Sequence, residues 1–294
     1  MQSVIRIGSR ESLLAVRQAE IIRDQIMNLA PEVSVEIVTM KTTGDKILDK
    51  SLSAIGGKGL FVRELDLALL EGRIDIAVHS LKDMPMEVNP ELPILAYSQR
   101  EDPRDVLLYR RELNELPEDA VIGTSSRRRM IQLQRLCPGY TFREIRGNVQ
   151  TRMRKLESEG LDGTLLAAAG LKRLGMEQAI SRYLDVNEMI PAAGQGILAV
   201  QGRKDVSWRW IRDVDVPQSR YAALAERQFI RTTEGDCTSP CAAHAQVNGN
   251  ELKLTGLYCD ENMQNYSVDT VLTEASRAQQ AGEALAEKMI KRMR

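Results

Sequence analysis

Aromatic side chains are scarce in this sequence, at 4% of 294 residues. Grooves that hold nucleic acid interleave Lys and Arg with rings on which bases stack, so this scarcity argues against a nucleic-acid partner. An excess of charge of either sign is also missing. With 40 Lys and Arg against 41 Asp and Glu, any basic patch is local. No apolar run reaches the roughly 18 residues of a membrane helix, and "MQSVIRIGSRESLL" has no signal-peptide core. The expectation is a cytoplasmic protein with no membrane partner. Cys137, Cys237, Cys241 and Cys259 form no CxxC pair, and His79 and His244 are the two histidines. That argues against a zinc cluster, and a reducing cytosol argues against disulfides. In "SAIGGKGLF" the residue after Lys58 is Gly59 rather than Ser or Thr, which excludes a nucleotide phosphate loop.

What remains is an ordinary globular composition, 43% hydrophobic and 28% charged, long enough for about two domains or three small ones. "VIRIGS" reads as a buried strand, and the next stretch places Leu14, Ala15, Ala19, Ile22, Ile26 and Leu29 at helical spacing until Pro31. "VSVEIVTM" alternates as a strand. The pattern recurs with the helix "LFVRELDLALLEG" and the strand "RIDIAVHS", then with "AVIGTSS" entering "RRRMIQLQRL" and "YTFREIRGN" entering "VQTRMRKLESEG". "DGTLLAAAG" reads as a buried strand before "LKRLG". A boundary is expected near Pro217, before the helix "YAALAERQFIRTT". Beyond it, an Asn-Gly turn signal and the helix "EASRAQQAGEALAEKMIKRM" suggest a small α+β domain. The fold class is α/β.

Three strand-to-helix junctions are basic: Arg10 in "IGSRES", Arg127, Arg128 and Arg129 in "IGTSSRRRM", and Arg146 and Arg152 in "IRGNVQTR". A helix N-terminus already carries partial positive charge, so arginines there lose roughly 0.3–1 kcal/mol unless an anion joins them. One such arginine ordinarily belongs to a surface ion pair. The set points instead to a bound anion at the carboxyl ends of sheet strands. DNA phosphate, nucleotide phosphate and small-molecule carboxylates are the candidates, and a polycarboxylate fits best. In "IDIAVHSLKDMP" an apolar strand ends at Lys82 and Asp83, where a carboxylate could move protons or stabilise a cation, or simply cap a turn before Pro85. In "EGDCTSPC", Cys237 lies in a polar turn where thioether or redox chemistry is open to it, as is a plain structural role.

Along nearly its whole length the chain resembles the porphobilinogen deaminase (hydroxymethylbilane synthase) family. The resemblance is carried, in family order, by "GSRESLLA", "GGKGLFVREL", "DIAVHSLKDMP", "REDPRDVL", "IGTSSRRR", "RGNVQTR", "LAAAGLKRLG", "PAAGQG" and "EGDCTSP". It implies a transferase of haem and porphyrin biosynthesis that deaminates porphobilinogen, a pyrrole with an acetate, a propionate and an aminomethyl group. Four units are joined head-to-tail on a covalent dipyrromethane cofactor, and hydrolysis releases a linear tetrapyrrole. The cofactor would be held by a thioether to Cys237. Asp83 would be the pivotal catalytic group, with Lys82 beside it. Arg10, Ser12, Lys82, Asp83, Ser125, Ser126, Arg128, Arg129, Arg146 and Gly147 would bind the cofactor, and Arg10, Lys58, Phe61, Arg146, Arg152, Arg173 and Gln195 the substrate. Arg127 stands where many relatives carry an apolar residue and is left to solvent.

The fold implied by the resemblance is three domains. Residues 1–97 with 195–214 and residues 98–194 would form two lobes of the periplasmic-binding-protein type with a cleft between them, and 215–294 a small α+β domain carrying the cofactor cysteine. "TTGDKILDKSLSAIGGKG" would be a lid. A monomer is expected. The chain departs from the family pattern at Asp236 and Ser239 around the cofactor cysteine, at Cys241 in an apolar slot, and at Ala54 in place of a lysine common in the lid. A non-catalytic two-lobed binder of organic anions is the reading from another class; such a protein has no use for Cys237 or Asp83.

Overall fold

Branched residues favour extended backbone because their χ1 freedom is restricted, while apolar residues three and four apart line one side of a helix. The first thirty residues follow both rules in the computed structural model, which describes residues 4–42, 62–206, 208–235, 239–260 and 266–293. Strand β1 (Val4–Arg10) leads through Ser12 into helix α1 (Leu13–Leu29). The Ser12 hydroxyl accepts the Ala15 N–H at 3.3 Å, satisfying one of the donors a helix start leaves open. Ala15, Ala19, Ile22 and Ile26 form the buried stripe of α1, and the last three join Ile5, Ile7, Ile76, Val78 and Leu198 in one core. Each isoleucine so buried contributes roughly 1.5–3 kcal/mol.

Strand β2 (Ser34–Met40) pairs parallel with β1. Helix α2 (Arg63–Leu70) then leads to β3 (Ile76–Ser80), also parallel to β1, and β4 (Ile94–Tyr97) follows. The second sheet is built from β5 (Asp105–Tyr109), β6 (Val121–Gly123), α3 (Arg127–Leu136), β7 (Thr141–Arg143), α4 (Val149–Ser158), β8 (Gly163–Ala167), α5 (Ala168–Arg173) and β9 (Arg182–Tyr183). Strand β10 (Leu198–Gly202) returns to the first sheet, antiparallel between β3 and β4.

Both five-stranded sheets have one plan. The orders are β2-β1-β3-β10-β4 and β7-β6-β8-β5-β9. In each, three parallel strands linked by helices are followed by an antiparallel strand and a short edge strand. The remaining elements are α6 (Ile211–Val214), α7 (Pro217–Thr232), an antiparallel sheet of β11 (Ala242–Asn248), β12 (Glu251–Cys259) and β13 (Tyr266–Glu274), and α8 (Ala278–Met293). The β11–β12 turn uses the Asn-Gly signal, with Gly249 at φ +57°. By its contacts the chain forms two compact units, Met1–Arg100 with Ile197–Arg220, and Glu101–Gly196 with Tyr221–Arg294. No helix among the described residues is long and apolar enough to cross a membrane.

Two details differ from the sequence expectation. The strand read in "DGTLLAAAG" stops at Ala167, and Ala168–Arg173 is helical, because consecutive alanines favour helix once the chain leaves the sheet. Helix α7 starts at Pro217 rather than at Tyr221; proline's fixed φ and missing N–H suit a first helical turn. The end of α7 carries strain. Gly235 N–H reaches Ile230 O at 2.9 Å and Glu234 N–H reaches Arg231 O at 3.0 Å, with Glu234 held at φ +54°, where glycine is the usual residue. A left-handed non-glycine residue costs about 1–2 kcal/mol.

Candidate active site

In the first unit, β1 and β3 are parallel neighbours, with Gly8 paired to Ala77. The same register brings Arg10 level with His79, so Arg10 and the segment Leu81–Asp83 lie at the same carboxyl end of the sheet. Leu81–Asp83 is a single 3-10 turn. Leu81 is buried and its N–H bonds to Ile197 O at 3.0 Å, which pins the turn to the chain entering β10. Lys82 is half-buried and Asp83 exposed. Asp83 makes no hydrogen bond or ion pair with any described residue, so its carboxylate is available to a ligand.

Beneath this turn lies a buried polar chain. His79 Nε2 is 3.0 Å from Gln201 Oε1, and Gln201 Nε2 donates to Leu92 O at 3.0 Å, so Nε2 of the histidine carries the proton. Burial lowers the His79 pKa to about 4; the bond to Gln201 opposes this and the charge of Arg10 adds to it. A histidine that stays neutral when folded but ionises near 6.5 when unfolded stabilises the fold fully above that value. The contribution is lost as pH falls from about 6.5 to about 4, and amounts to about 3 kcal/mol. Unfolding free energies of the wild type and His79→Gln should therefore converge over that window. A constant difference from pH 7 to pH 4 would remove His79 as the cause.

In the second unit, the three residues before α3 are each turned to a local use. The buried Thr124 accepts the Ser126 N–H at 3.2 Å, and the Ser125 hydroxyl donates to Ile145 O at 2.6 Å. Ser126 is the N-cap of α3 and makes no side-chain capping bond. Of the three arginines that follow, Arg127 is exposed, whereas Arg128 and Arg129 are each 5% exposed. Both turn inward to Asp105, the fully buried first residue of β5. Arg128 Nη1 donates to Asp105 Oδ2 and to Ile190 O, each at 2.7 Å. Arg129 donates to Asp105 Oδ1 from Nε at 3.1 Å and from Nη2 at 2.7 Å, and to Leu165 O from Nη1 at 2.9 Å. Gln195, 1% exposed, adds its Nε2 to Asp105 Oδ1 at 3.0 Å and to Pro103 O at 2.7 Å.

Burial alone would raise the Asp105 pKa, but the attraction of Arg128 and Arg129 outweighs it and holds the carboxylate ionised. Burial pulls Arg128 down, and the like charge of Arg129 adds to that, against Asp105. Two guanidiniums and one carboxylate leave one positive charge over. The two hydrogens of Arg128 Nη1 are committed, while its Nε and Nη2 meet no partner among the described residues. That edge is the bidentate face that matches a carboxylate.

The other basic positions gather around α4 and α5. Asn148 caps α4 by accepting the Thr151 N–H at 2.9 Å. Gly147 sits at φ +116°, and a Cβ there would meet Thr151 Cγ2 at 2.5 Å, so glycine is required at this junction. Arg152 donates from Nε to Gly147 O at 2.9 Å, and Arg146 pairs with Glu144 at 2.8 Å. Arg173, at the end of α5, donates to Gly196 O at 2.6 Å, and burial lowers its pKa to about 10 against the pull of Glu101. It stays charged at neutral pH. Lys58, Phe61, Ala54 and the rest of the expected lid beyond Thr42, together with Asp236 and Cys237, lie outside the described residues.

Cys241 and Cys259 are buried. Burial raises the Cys241 thiol pKa against hydrogen bonds from Cys259, Thr233 and Ser239, and raises that of Cys259 to about 12. Neither is poised to act as a nucleophile.

Two buried carboxylates escaped the sequence reading. Asp105 opens an apolar strand in "RDVLL", and Glu226 lies on the stripe of Ala222, Ala223, Phe229 and Ile230 that faces the core. Glu226 accepts the Gly194 N–H at 2.6 Å and the Ala245 N–H at 2.7 Å, and its Oε1 is 3.6 Å from His244 Nδ1. It thereby ties α7 and β11 to the "AAGQG" loop. An acid on an otherwise apolar face is the signal that marks both.

Two family models match the chain: "Porphobilinogen deaminase, dipyromethane cofactor binding domain" over residues 5–208, and "Porphobilinogen deaminase, C-terminal domain" over residues 220–291. Curated relatives extend the likeness to full length. A porphobilinogen deaminase of Acetivibrio thermocellus is 50% identical over 287 residues, covering 98% of both chains. One from Ruminiclostridium josui is 48% identical over 289 residues, covering 97% of each. One from a Nostoc species is 43% identical over 290 residues, covering 96% of this chain and 90% of that one.

Proposed function

This chain belongs to the porphobilinogen deaminase family, and on that premise we propose which of its residues carry the reaction. The activity is that of a transferase joining porphobilinogen units on a dipyrromethane cofactor. The observation that carries the site assignment is the buried trio of Arg128, Arg129 and Asp105 with one positive charge over. A carboxylate-bearing cofactor fits such a place, since a surplus buried charge is costly until an anion meets it.

When bound, the dipyrromethane supplies a pyrrole carbon that serves as the growing end. Cys237 would hold it by a thioether, with Arg128, Arg129 and the Ser125, Ser126 and Gly147 turns about its acid groups. Asp83 places a negative charge where positive charge develops on the substrate pyrrole as its ammonia departs. Preorganised charge of this kind is typically the largest single contribution to lowering a barrier. The same carboxylate can accept the pyrrole N–H and assist proton movement. Lys82 beside it offers a donor to the acid groups. Arg10, Arg146, Arg152 and Arg173 grip the acetate and propionate of incoming substrate; Ser12 serves chiefly to cap α1 and so to set the position of Arg10. Lys58, Phe61 and Gln195 complete the substrate set. Our division of the chain is into three domains with boundaries near residues 97, 195 and 215, supported by the separate sheet of β11, β12 and β13. The chain is taken as a cytoplasmic monomer, and the poverty of aromatic residues supports the absence of a nucleic-acid partner.

Each porphobilinogen added brings two carboxylates and loses its ammonium nitrogen as ammonia. Limiting substrate should therefore give discrete protein species of stepwise greater negative charge, separable by anion exchange. Arg146→Leu should stall this series at an early step, and Arg127→Leu should leave it unchanged, because Arg127 is exposed. Product formation after a rapid quench with no charge-shifted species, or equal behaviour of both variants, would refute the assignment.

A further inference from the structure

A buried ion pair is balanced when each charge meets its opposite, and removing one member is strongly destabilising. The cluster at the start of β5 is not balanced in that sense. Asp105 accepts from Arg128 Nη1, Arg129 Nε and Nη2, and Gln195 Nε2, which fills the accepting capacity of one carboxylate. A fold needing only a buried link between α3 and β5 would be served by one arginine. A second guanidinium beside the first works against it, and Arg129 does depress Arg128. Asp105 also fixes which part of each guanidinium is left over. It takes Nη1 of Arg128, sharing it with Ile190 O, so the Nε and Nη2 edge faces away from the pair. It takes Nε and Nη2 of Arg129, whose Nη1 goes to Leu165 O.

We propose that Asp105 is a positioning residue which holds this arginine pair at one surplus positive charge, so that the cluster takes up a single carboxylate of the cofactor through the Nε and Nη2 edge of Arg128. The inference rests on the reading that Arg128 and Arg129 meet the cofactor. It makes the strength of cofactor retention depend on the sum of charges in the cluster, not on Asp105 as such.

Dependence on the sum has a consequence that a purely structural role lacks. Arg129→Met leaves one cation and one anion, with no surplus, and the fraction of chains carrying the dipyrromethane, read by intact-protein mass, should fall about tenfold or more. Adding Asp105→Asn to Arg129→Met restores one surplus charge and removes the carboxylate that would neutralise Arg128. The double variant should therefore regain most of the lost cofactor, although Asp105→Asn alone leaves two surplus charges and weakens the fold.

A second measurement covers the case in which Arg129→Met folds poorly. In full-length Cys237→Ser protein, added sulfate should raise Tm more when Asp105→Asn is also present, because two unpaired cations gain more from an anion than one. Damage in the double variant equal to or greater than that of Arg129→Met alone, or equal sulfate shifts with and without Asp105→Asn, would overturn the proposal. Arg128→Met separates the two layers. Full cofactor retention in that variant would overturn the assignment of the arginine pair to the cofactor and this inference with it. Loss in Arg128→Met together with additive damage in the double variant would overturn the role of Asp105 alone.

Discussion

Cys237→Ser should yield a folded protein whose intact mass lacks the dipyrromethane increment in every chain, with activity lost to the detection limit. In this reading sulfur attacks because a thiol supplies a small but highly nucleophilic thiolate fraction near neutral pH, whereas a serine hydroxyl does not ionise without an adjacent base. The buried thiols Cys241 and Cys259 offer no substitute. Cys241 is 7% exposed and burial raises its pKa, and Cys259 is pushed up to about 12, so both stay protonated and enclosed. Cys241→Ser should accordingly keep the adduct. Retention of the adduct in Cys237→Ser, with loss in Cys241→Ser, would transfer the attachment point and make the departures at Asp236 and Ser239 the reason.

The second large effect is on turnover. Asp83→Asn preserves size and shape and removes the charge, so turnover should drop by at least the roughly 100-fold associated with one lost electrostatic stabiliser. Because the interaction is made chiefly in the transition state, kcat and kcat/KM should fall together while KM changes little. The fold should survive. Asp83 is exposed and bonds to no described residue, while Leu81 and Met84 on either side anchor the turn in the core. Thermal unfolding of the variant within a few degrees of wild type, beside the kinetic collapse, is the expected pair of results. Near-normal turnover, measured with Ehrlich's reagent for substrate consumption, would take Asp83 out of the mechanism.

Much of the architecture was legible in local pattern. Period-two and period-3.6 apolar spacing identified β1, α1, β3, α3 and α4, since each must bury one face. Misreadings fell where local preference was ambiguous. The alanines after Ala167 suit a buried strand or a helix, and Pro217 suits a boundary or a first turn.

The site divided differently. Residue types and order alone carried the family resemblance, and with it Asp83, Cys237 and the arginines, because the chemistry demands those groups and leaves them in short motifs. The resemblance also set Arg127 apart from its two neighbours, and it is the exposed member of the trio. That Arg128 and Arg129 are turned inward was decided by Asp105, which precedes them by 23 and 24 residues, across β5, a loop and β6, and meets them only because β5 and β6 both flank β8 in the sheet. Likewise, Glu226 finds Gly194 and Ala245 at sequence separations of 32 and 19. A buried charge acquires its partners from whatever elements pack around it, and no local pattern encodes that meeting. Sequence determined which groups are present and which helix and strand ends carry them; tertiary structure determined which charges cancel and which one is left over.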